Sequence, residues 1–377
     1  MKLKTLILFG TRPEAIKLAP VINTLRQEPS LFDVSVCVTS QHREMLAQVL
    51  DFFSITPDFD LALMRPRQTL FNITTRALEG LQKVLTDLQP DLIMVQGDTT
   101  SSFAGALAGY YMNVKVAHIE AGLRSFQKRS PFPEEMNRIL TGHLADFHFA
   151  PTAAAVENLR REGITENVWE VGNTVIDALL LGLKIIHTQG DEPYLSFFRN
   201  IDFSKKIILV TGHRRESFGE PFEAICLALK EIVASHPDTE IVYPVHLNPN
   251  VTEPVYRILG NQPRIHLMEP LSYPRLIWLM SRSYLVLTDS GGIQEEAPSL
   301  GKPVLVMREV TERTEGIQAG TARLVGRDKQ VIIEQTGMLL RDPQLYQAMS
   351  YAVNPYGDGH SADQIKAIIM NVYQQKS

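Results

Sequence analysis

The chain has 377 residues, of which 44% are hydrophobic and 21% charged, with a formal net charge of −5. This length is too great for one ordinary hydrophobic core and predicts two domains. The acidic balance excludes a basic field for nucleic acid, and no apolar run is long enough for a membrane span, so we expect neither partner. The two cysteines, Cys37 and Cys226, fall in different halves, which favours a cytoplasmic protein with reduced thiols.

Short apolar runs alternate with helical patterns along the whole chain, which predicts parallel βαβ units. Several runs are apolar at nearly every residue, as strands covered by helices on both faces are. The predicted strands are 5–9, 33–38, 92–95, 114–118, 148–150, 206–210, 241–245, 264–267, 284–288 and 304–307. One helix is clear from i, i+3, i+4 spacing. Its marker residues are Met136, Ile139, Leu140, His143 and Leu144.

The two halves of the chain have the same layout. The apolar run and turn at 4–12 resemble those at 206–214, and the apolar run and turn at 92–99 resemble those at 285–290. This similarity predicts an α/β fold with two Rossmann-like, doubly wound domains. We place the first domain at 1–171 and the second at 172–360, with a final helix at 361–377 that crosses back to the first.

The first predicted strand ends in Gly10-Thr-Arg-Pro-Glu14. A strand followed by a glycine turn and a helix points backbone N–H groups and the helix dipole at one spot, which favours an anion. Neither the G-x-G-x-x-G fingerprint nor the P-loop is present. Arg12 is predicted to lie over the strand ends, whereas the spacing of Lys17 alone favours a surface residue over a functional one.

Acidic residues follow two further strands of the first half. Asp98 comes after strand 92–95, Glu120 after strand 114–118, and Glu134 and Glu135 open the clear helix. Helix capping alone explains Asp98, and compensation of the helix dipole explains one of the two helix acids. Asp98, Glu120 and one of the two helix acids together at one rim of a sheet favour a functional site.

Histidines mark two strand ends of the second half. His213 follows strand 206–210 beside two arginines, and His246 follows strand 241–245. Two such histidines leave a metal site open as an alternative. No H-E-x-x-H or C-x-x-C spacing is present, so we expect no metal.

A glycine-rich turn follows the strand at 284–288. Ser290, Gly291 and Gly292 leave backbone donors uncovered and can cradle a diphosphate. Glu296 lies one turn into the next helix, where a carboxylate can accept hydrogen bonds from ribose hydroxyls, and Arg313 adds positive charge. The alternative is an ordinary glycine turn before an exposed helix.

Eight ordered motifs together resemble the bacterial non-hydrolysing UDP-N-acetylglucosamine 2-epimerases. They are the segments 9–17, 41–45, 97–100, 118–124, 131–138, 211–216, 244–249 and 289–296. The resemblance implies the two-domain GT-B fold with a UDP-sugar in the interdomain cleft, no cofactor, and a homodimer. It also implies interconversion of UDP-GlcNAc and UDP-ManNAc by anti elimination of UDP, through 2-acetamidoglucal, for surface polysaccharide precursors.

The resemblance also assigns residues by position. Those that match the family's catalytic residues are Asp98, Glu120, Glu134 and His213. Those that match its nucleotide-sugar contacts are Arg12, Lys17, Arg138, His246, Ser290, Gly291, Gly292, Glu296 and Arg313. Some members bind a second UDP-GlcNAc as activator, and the matching residues are Gln41, His42 and Arg67. Glu44 stands where several such members have glutamine.

Other functions share part of this pattern. A retaining GT-B glycosyltransferase would have the same cleft but need an acceptor, and a hydrolysing epimerase would release free ManNAc and UDP. A non-enzymatic UDP-sugar sensor would have no need of three acids. Epimerases of UDP-GalNAc or of a diacetamido uronic sugar share the motifs.

Overall fold

A computed structural model describes residues 2–40, 43–65 and 68–374 of the chain. The chain forms two compact units, one of residues up to 181 together with those from 357 onward, and one of residues 182–356. The boundaries given above, 171/172 and 360/361, lie ten and four residues from these divisions. Within the described residues, no helix is long and apolar enough to cross a bilayer.

The first unit alternates strands and helices. Its strands are β1 (Leu3–Phe9), β2 (Phe32–Val38), β3 (Phe59–Asp60), β4 (Leu92–Gln96), β5 (Lys115–Ile119), β6 (Phe147–Ala150) and β7 (Val168–Glu170). Its helices are α1 (Arg12–Arg26), α2 (Arg43–Phe52), α3 (Leu70–Leu88), α4 (Thr100–Tyr111), α5 (Glu134–Leu144), α6 (Ala153–Arg161), α7 (Thr174–Gln189) and, after the second unit, α16 (Ser361–Gln374). Over the described residues the strands form one sheet in the order 3-2-1-4-5-6-7.

The second unit repeats this plan. Its strands are β8 (Lys206–Thr211), β9 (Thr239–Pro244), β10 (Ile265–Met268), β11 (Leu285–Thr288), β12 (Val304–Val306) and β13 (Ala322–Leu324). Its helices are α8 (Glu192–Phe197), α9 (Glu220–Ser235), α10 (Pro249–Leu259), α11 (Tyr273–Arg282), α12 (Gly291–Glu296), α13 (Thr314–Gln318), α14 (Lys329–Arg341) and α15 (Pro343–Ser350). The strand order is 10-9-8-11-12-13, so the first strand of each unit lies where the order reverses.

The predicted fold class is confirmed, because both sheets are doubly wound and their strands pair in parallel. Each of the ten predicted strands is present. The prediction lacks β3, β7 and β13, which have only two or three residues and lie at sheet edges. The helix predicted around residues 136–144 is α5, which begins at Glu134.

Apolar side chains between helices and sheet form the core of each unit. In the first unit, Leu6, Leu8 and Val95 are fully buried against α4. A Cβ atom at Gly105 of α4 would lie 2.3 Å from Cδ2 of Leu8, so only glycine permits this close approach of helix and sheet. The close packing of α4 fixes the position of the β4–α4 junction, where Asp98 lies.

Candidate active site

Three neighbouring strands of the first unit end at one rim. Strand β4 pairs with β1, matching Val95 to Leu8, and with β5, matching Gln96 to Ile119. The residues that follow these strands therefore lie side by side: the turn at Gly10, Asp98 after β4, and Glu120 after β5. In doubly wound sheets, this edge at the strand order reversal is where ligands bind.

A buried arginine joins two of the predicted acids. Arg138 of α5 is only 6% exposed, and its guanidinium forms ion pairs with the carboxylates of Asp98 and Glu120. The same guanidinium donates a hydrogen bond to the backbone carbonyl of Glu120. The next residue back, Asn137, donates from Nδ2 to the carbonyl of Asp98 at 3.0 Å. Helix α5 thus fixes both acids relative to each other.

Glu120 has two further partners and an unusual backbone. Its Oε2 atom pairs with Nζ of Lys17 from α1 and accepts a 3.1 Å hydrogen bond from Nδ2 of Asn173. Its φ is +60°, in the left-handed region that few residues other than glycine adopt. Such strained positions are frequent at active sites, where surrounding contacts hold them. Lys17 is therefore part of the acidic cluster rather than a surface residue.

The two acids at the start of α5 have different environments. Glu135 is buried, and its carboxylate accepts hydrogen bonds from the N–H groups of Ser125 and Phe126, both at 2.9 Å. Glu134 has a buried Oε2 atom with no hydrogen-bond partner among the described residues. Glu135 therefore holds the preceding loop, whereas Glu134 keeps an acceptor that a ligand can satisfy.

A buried carboxylate that the sequence analysis does not single out, Glu14, organises the same rim. Its Oε2 accepts hydrogen bonds from the N–H groups of Gly10 and Thr11, and its Oε1 accepts from the hydroxyls of Thr99 and Ser102. Burial raises the pKa of Glu14, although these hydrogen bonds oppose the shift. Glu14 thus connects the β1–α1 turn to the β4–α4 turn and occupies N–H groups that the sequence assigns to an anion.

A neutral histidine supports the turn that carries Asp98. His118 of β5 is fully buried, and its Nε2 lies 2.7 Å from the carbonyl oxygen of Gly97, which has a φ of +72°. Burial, and after it the charge of Arg138, lowers the pKa of His118 to about 3. At neutral pH the ring is therefore an uncharged hydrogen-bond donor to this turn.

Two strand ends of the second unit come together through Asp289. Strand β8 pairs with β11, matching Thr211 to Thr288. Asp289, 2% exposed, accepts hydrogen bonds from the N–H groups of His213 and Arg214 at 2.6 and 2.7 Å. Burial would raise the pKa of Asp289, but the imidazole of His213 and these N–H groups hold it below its ordinary value.

The two predicted histidines line one open pocket in the second unit. The rings of His213 and His246 are stacked, with centroids 5.3 Å apart and planes 14° apart. Partial burial and the proximity of His213 lower the pKa of His246, although Asp289 opposes this. The pocket has a volume of about 450 Å³. Its lining residues are His213, Arg214, Arg215, Glu216, His246 and Asn248.

The turn after β11 carries the remaining predicted contacts of the second unit. Ser290 donates its N–H to the hydroxyl of Thr288 at 2.9 Å, and Gly291 and Gly292 open α12. Glu296 is 7% exposed, and Tyr273 donates its hydroxyl to Oε1 of Glu296 at 3.4 Å.

Arg313 is held close to this turn. Its guanidinium forms an ion pair with the buried Glu295, and a Cβ atom at Gly291 would lie 3.7 Å from Nη2 of Arg313. The guanidinium of Arg313 and the carboxylate of Glu312 therefore both lie close to the glycine turn, and the diphosphate site stays a prediction.

The structure thus groups the predicted residues by domain. Arg12 begins α1 and is half-buried at the rim that carries Asp98 and Glu120. The predicted activator residues Gln41, His42 and Arg67 lie outside the described residues, and that site stays a prediction.

Four further residues in these sites are not singled out by the sequence analysis. They are Glu14, Asn173, Asp289 and Glu295. Asp289 and Glu295 lie within the quoted motif 289–296, so the strand-end position of Asp289 is a usable signal. Asn173 has no such signal, because its contact with Glu120 joins residues 53 positions apart.

Two doubly wound domains with charged side chains at the strand carboxyl ends are characteristic of enzymes that bind nucleotide ligands. Residues 23–370 match the family model of UDP-N-acetylglucosamine 2-epimerase. The UDP-N-acetylglucosamine 2-epimerase of Escherichia coli K12 is 54% identical over 372 residues, which cover 98% of this chain and 99% of that protein. The chain therefore belongs to the UDP-N-acetylglucosamine 2-epimerase family and is an enzyme, as the sequence predicts.

Solved structures agree with this assignment. The Neisseria meningitidis UDP-GlcNAc 2-epimerase bound to UDP-GlcNAc has a TM-score of 0.90 and 47% identity, covering 98% of this chain and 100% of that one. The Methanocaldococcus jannaschii UDP-GlcNAc 2-epimerase in complex with UDP-GlcNAc and UDP has a TM-score of 0.80 and 34% identity, covering 98% and 100%.

The buried position of Arg138 predicts a large loss of stability when its charge is removed. Arg138→Met should lower the free energy of unfolding by about 3–5 kcal/mol, because Asp98 and Glu120 then lose their shared cation. Urea denaturation measures this difference. Arg161→Met is the control, since the Arg161–Glu157 pair is exposed and should contribute only about 0.2–1 kcal/mol. Equal losses in both variants would contradict the role assigned to Arg138.

Proposed function

We propose that this enzyme interconverts UDP-GlcNAc and UDP-ManNAc without hydrolysis, by anti elimination of UDP and its re-addition to 2-acetamidoglucal. The observation that carries the proposal is the cluster of Asp98, Glu120, Lys17 and Arg138 at the strand ends of the first domain. The 54% identity to the E. coli UDP-N-acetylglucosamine 2-epimerase and the UDP-GlcNAc bound to the N. meningitidis relative support the substrate.

The chemistry explains why acids and cations are both required. C2 of the sugar carries an acetamido nitrogen and has no adjacent carbonyl, so its proton is a poor acid. Breaking the bond from C1 to the diphosphate oxygen sends the electron pair to UDP and makes loss of the C2 proton possible, which leaves a C1–C2 double bond. Return of UDP to C1 and of a proton to the opposite face of C2 completes the inversion.

We assign the proton transfers to Asp98, Glu120 and Glu134. The guanidinium of Arg138 contacts both Asp98 and Glu120 and holds the two carboxylates next to each other at the rim. Glu134 contributes a buried oxygen that lacks a hydrogen-bond partner among the described residues, and a sugar hydroxyl or amide can supply one.

We assign nucleotide binding mainly to the second domain. Ser290, Gly291, Gly292 and Arg313 combine small residues with positive charge, which suits a diphosphate. Glu296 offers a buried carboxylate for the ribose hydroxyls. His213 and His246 line the adjoining pocket.

Of the first-domain residues, Arg12 is assigned to the substrate, and Lys17 acts through its ion pair with Glu120. Synthesis of surface polysaccharide precursors remains the proposed use of the product.

The product and its isotope content test the reaction. Purified enzyme incubated in D2O with UDP-GlcNAc alone should yield UDP-ManNAc that carries deuterium at C2, because the C2 proton exchanges with solvent during the reaction. Proton NMR of the anomeric and C2 signals measures both. A glycosyltransferase or a sensor would leave UDP-GlcNAc unchanged, and a hydrolysing enzyme would release free ManNAc. UDP-ManNAc without deuterium would exclude the elimination route.

Amide variants test the acids separately from binding. Glu120→Gln and Asp98→Asn should each lower kcat by about 10²–10⁴-fold, the usual contribution of a general acid or base. UDP should still bind, because its proposed contacts lie mainly in the second domain; isothermal titration calorimetry measures this. Glu157→Gln, an exposed acid of the same domain, is the control and should keep full activity. Near-normal turnover in either active-site variant would reject our assignment.

We further propose that the enzyme is a homodimer that associates through α3 and α4. Tyr111, which ends α4, is 69% exposed, and it lines a small pocket of about 240 Å³ between the two helices. Tyr111→Glu should give a monomer in sedimentation velocity, because burying a carboxylate without a partner is costly. Tyr351→Glu, an exposed tyrosine of the second domain, should leave the dimer intact. A dimeric Tyr111→Glu protein would place the interface elsewhere.

A further inference from the structure

The carboxylate of Asp289 has two oxygens with different surroundings. Its Oδ2 accepts hydrogen bonds from the backbone N–H groups of His213 and Arg214, at 2.6 and 2.7 Å. Its Oδ1 is buried and lies 3.2 Å from Nδ1 of the His213 ring. Among the described residues no other donor reaches Oδ1. The imidazole is therefore the group that can compensate this oxygen.

A buried carboxylate oxygen without a donor is costly, so the energy of the site depends on where the imidazole carries its proton. With the proton on Nδ1, Oδ1 faces an N–H group. With the proton on Nε2 alone, two electron-rich atoms face each other in a buried position. The first arrangement is the stable one, and it leaves Nε2 of His213 as the nitrogen that a ligand in the pocket can meet.

The stacked neighbour has the opposite arrangement. His246 accepts a hydrogen bond on Nδ1 from the backbone N–H of Asn248 at 3.1 Å, so a neutral His246 carries its proton on Nε2. Two parallel imidazoles in one pocket are thus held in different tautomers by different partners. This contrast gives an internal reference for any measurement on His213.

We propose that Asp289 is a positioning residue that keeps Nδ1 of His213 protonated and so reserves Nε2 for the substrate. This inference rests on the proposed function, in which His213 assists the departing diphosphate. As the C1–O bond breaks, negative charge develops on the diphosphate, and a proton on Nε2 of a doubly protonated ring can donate a hydrogen bond to it. The carboxylate of Asp289 holds the ring through its Nδ1–H group, so that Nε2 is the nitrogen left to face the diphosphate.

Asp289→Asn tests the proposal with little change in shape. The asparagine oxygen can accept the two backbone N–H groups, while its NH2 group faces Nδ1 of His213 and favours the other tautomer. Nitrogen-15 NMR of the histidine-labelled full-length enzyme, at about pH 8 where an ordinary imidazole is neutral, reads each ring's tautomer directly. His213→Gln identifies the His213 signals.

A matched control exists in the same domain. Glu240 is 5% exposed, and its Oε2 lies 2.7 Å from Nε2 of His266. Glu240→Gln also replaces a buried carboxylate beside an imidazole, but away from the pocket. It should change the His266 signals, leave those of His213 as they are, and keep full activity.

The expected wild-type spectrum has the proton of His213 on Nδ1 and that of His246 on Nε2. Asp289→Asn should move the His213 proton to Nε2 and lower kcat by about 10²–10⁴-fold, with UDP binding kept. A wild-type His213 protonated on Nε2, or a tautomer that Asp289→Asn does not change, would overturn the proposal. If the variant fails to fold, the wild-type spectrum alone still shows which ring nitrogen of His213 carries the proton, and so tests the proposal.

The two proposals can fail separately. If the tautomer switches in Asp289→Asn while kcat stays normal, Asp289 positions the ring as proposed, and the catalytic assignment of His213 is wrong. If the wild-type enzyme does not convert UDP-GlcNAc, the proposed function fails, and the spectrum still tests the Asp289–His213 contact.

Discussion

The site of the first domain depends on one buried guanidinium. Arg138 contacts Asp98 and Glu120, which follow two adjacent strands, and it reaches them from a helix that begins with Glu134. Without a cation between them, the two neighbouring carboxylates would lose the ion pairs that hold them in place. The arginine therefore keeps the two acids close together at the strand ends.

The two domains use the same topology for different tasks. In both, the chain reverses its strand order beside the first strand, and charged residues collect at the carboxyl ends there. The first domain presents acids compensated by Lys17 and Arg138. The second presents histidines and arginines compensated by acids such as Asp289 and Glu295. A similar topology thus carries different charged side chains at the strand ends of the two domains.

Much of this could be predicted from the sequence, for physical reasons that also explain the gaps. Strands of four or more apolar residues were identifiable because burial on both faces leaves a continuous signal. Strands β3, β7 and β13 have no continuous apolar run, because two or three residues at a sheet edge are too few to form one. Strand-end positions predicted Asp98 and Glu120 at one rim. Their partners could not be predicted, because the contacts of Arg138 and Asn173 join residues 18 to 53 positions apart. The roles of Glu134 and Glu135 were likewise separable only by their surroundings.

The hydrogen bonds of Glu14 distinguish the turn after β1 from the usual phosphate-binding turn. In nucleotide-binding folds of this type, the N–H groups after the first strand bind the phosphate of the ligand. Here a side chain of the protein itself takes them, with Gly10 and Thr11 as donors. A phosphate at this turn would have to compete with the carboxylate of Glu14 for the N–H groups of Gly10 and Thr11.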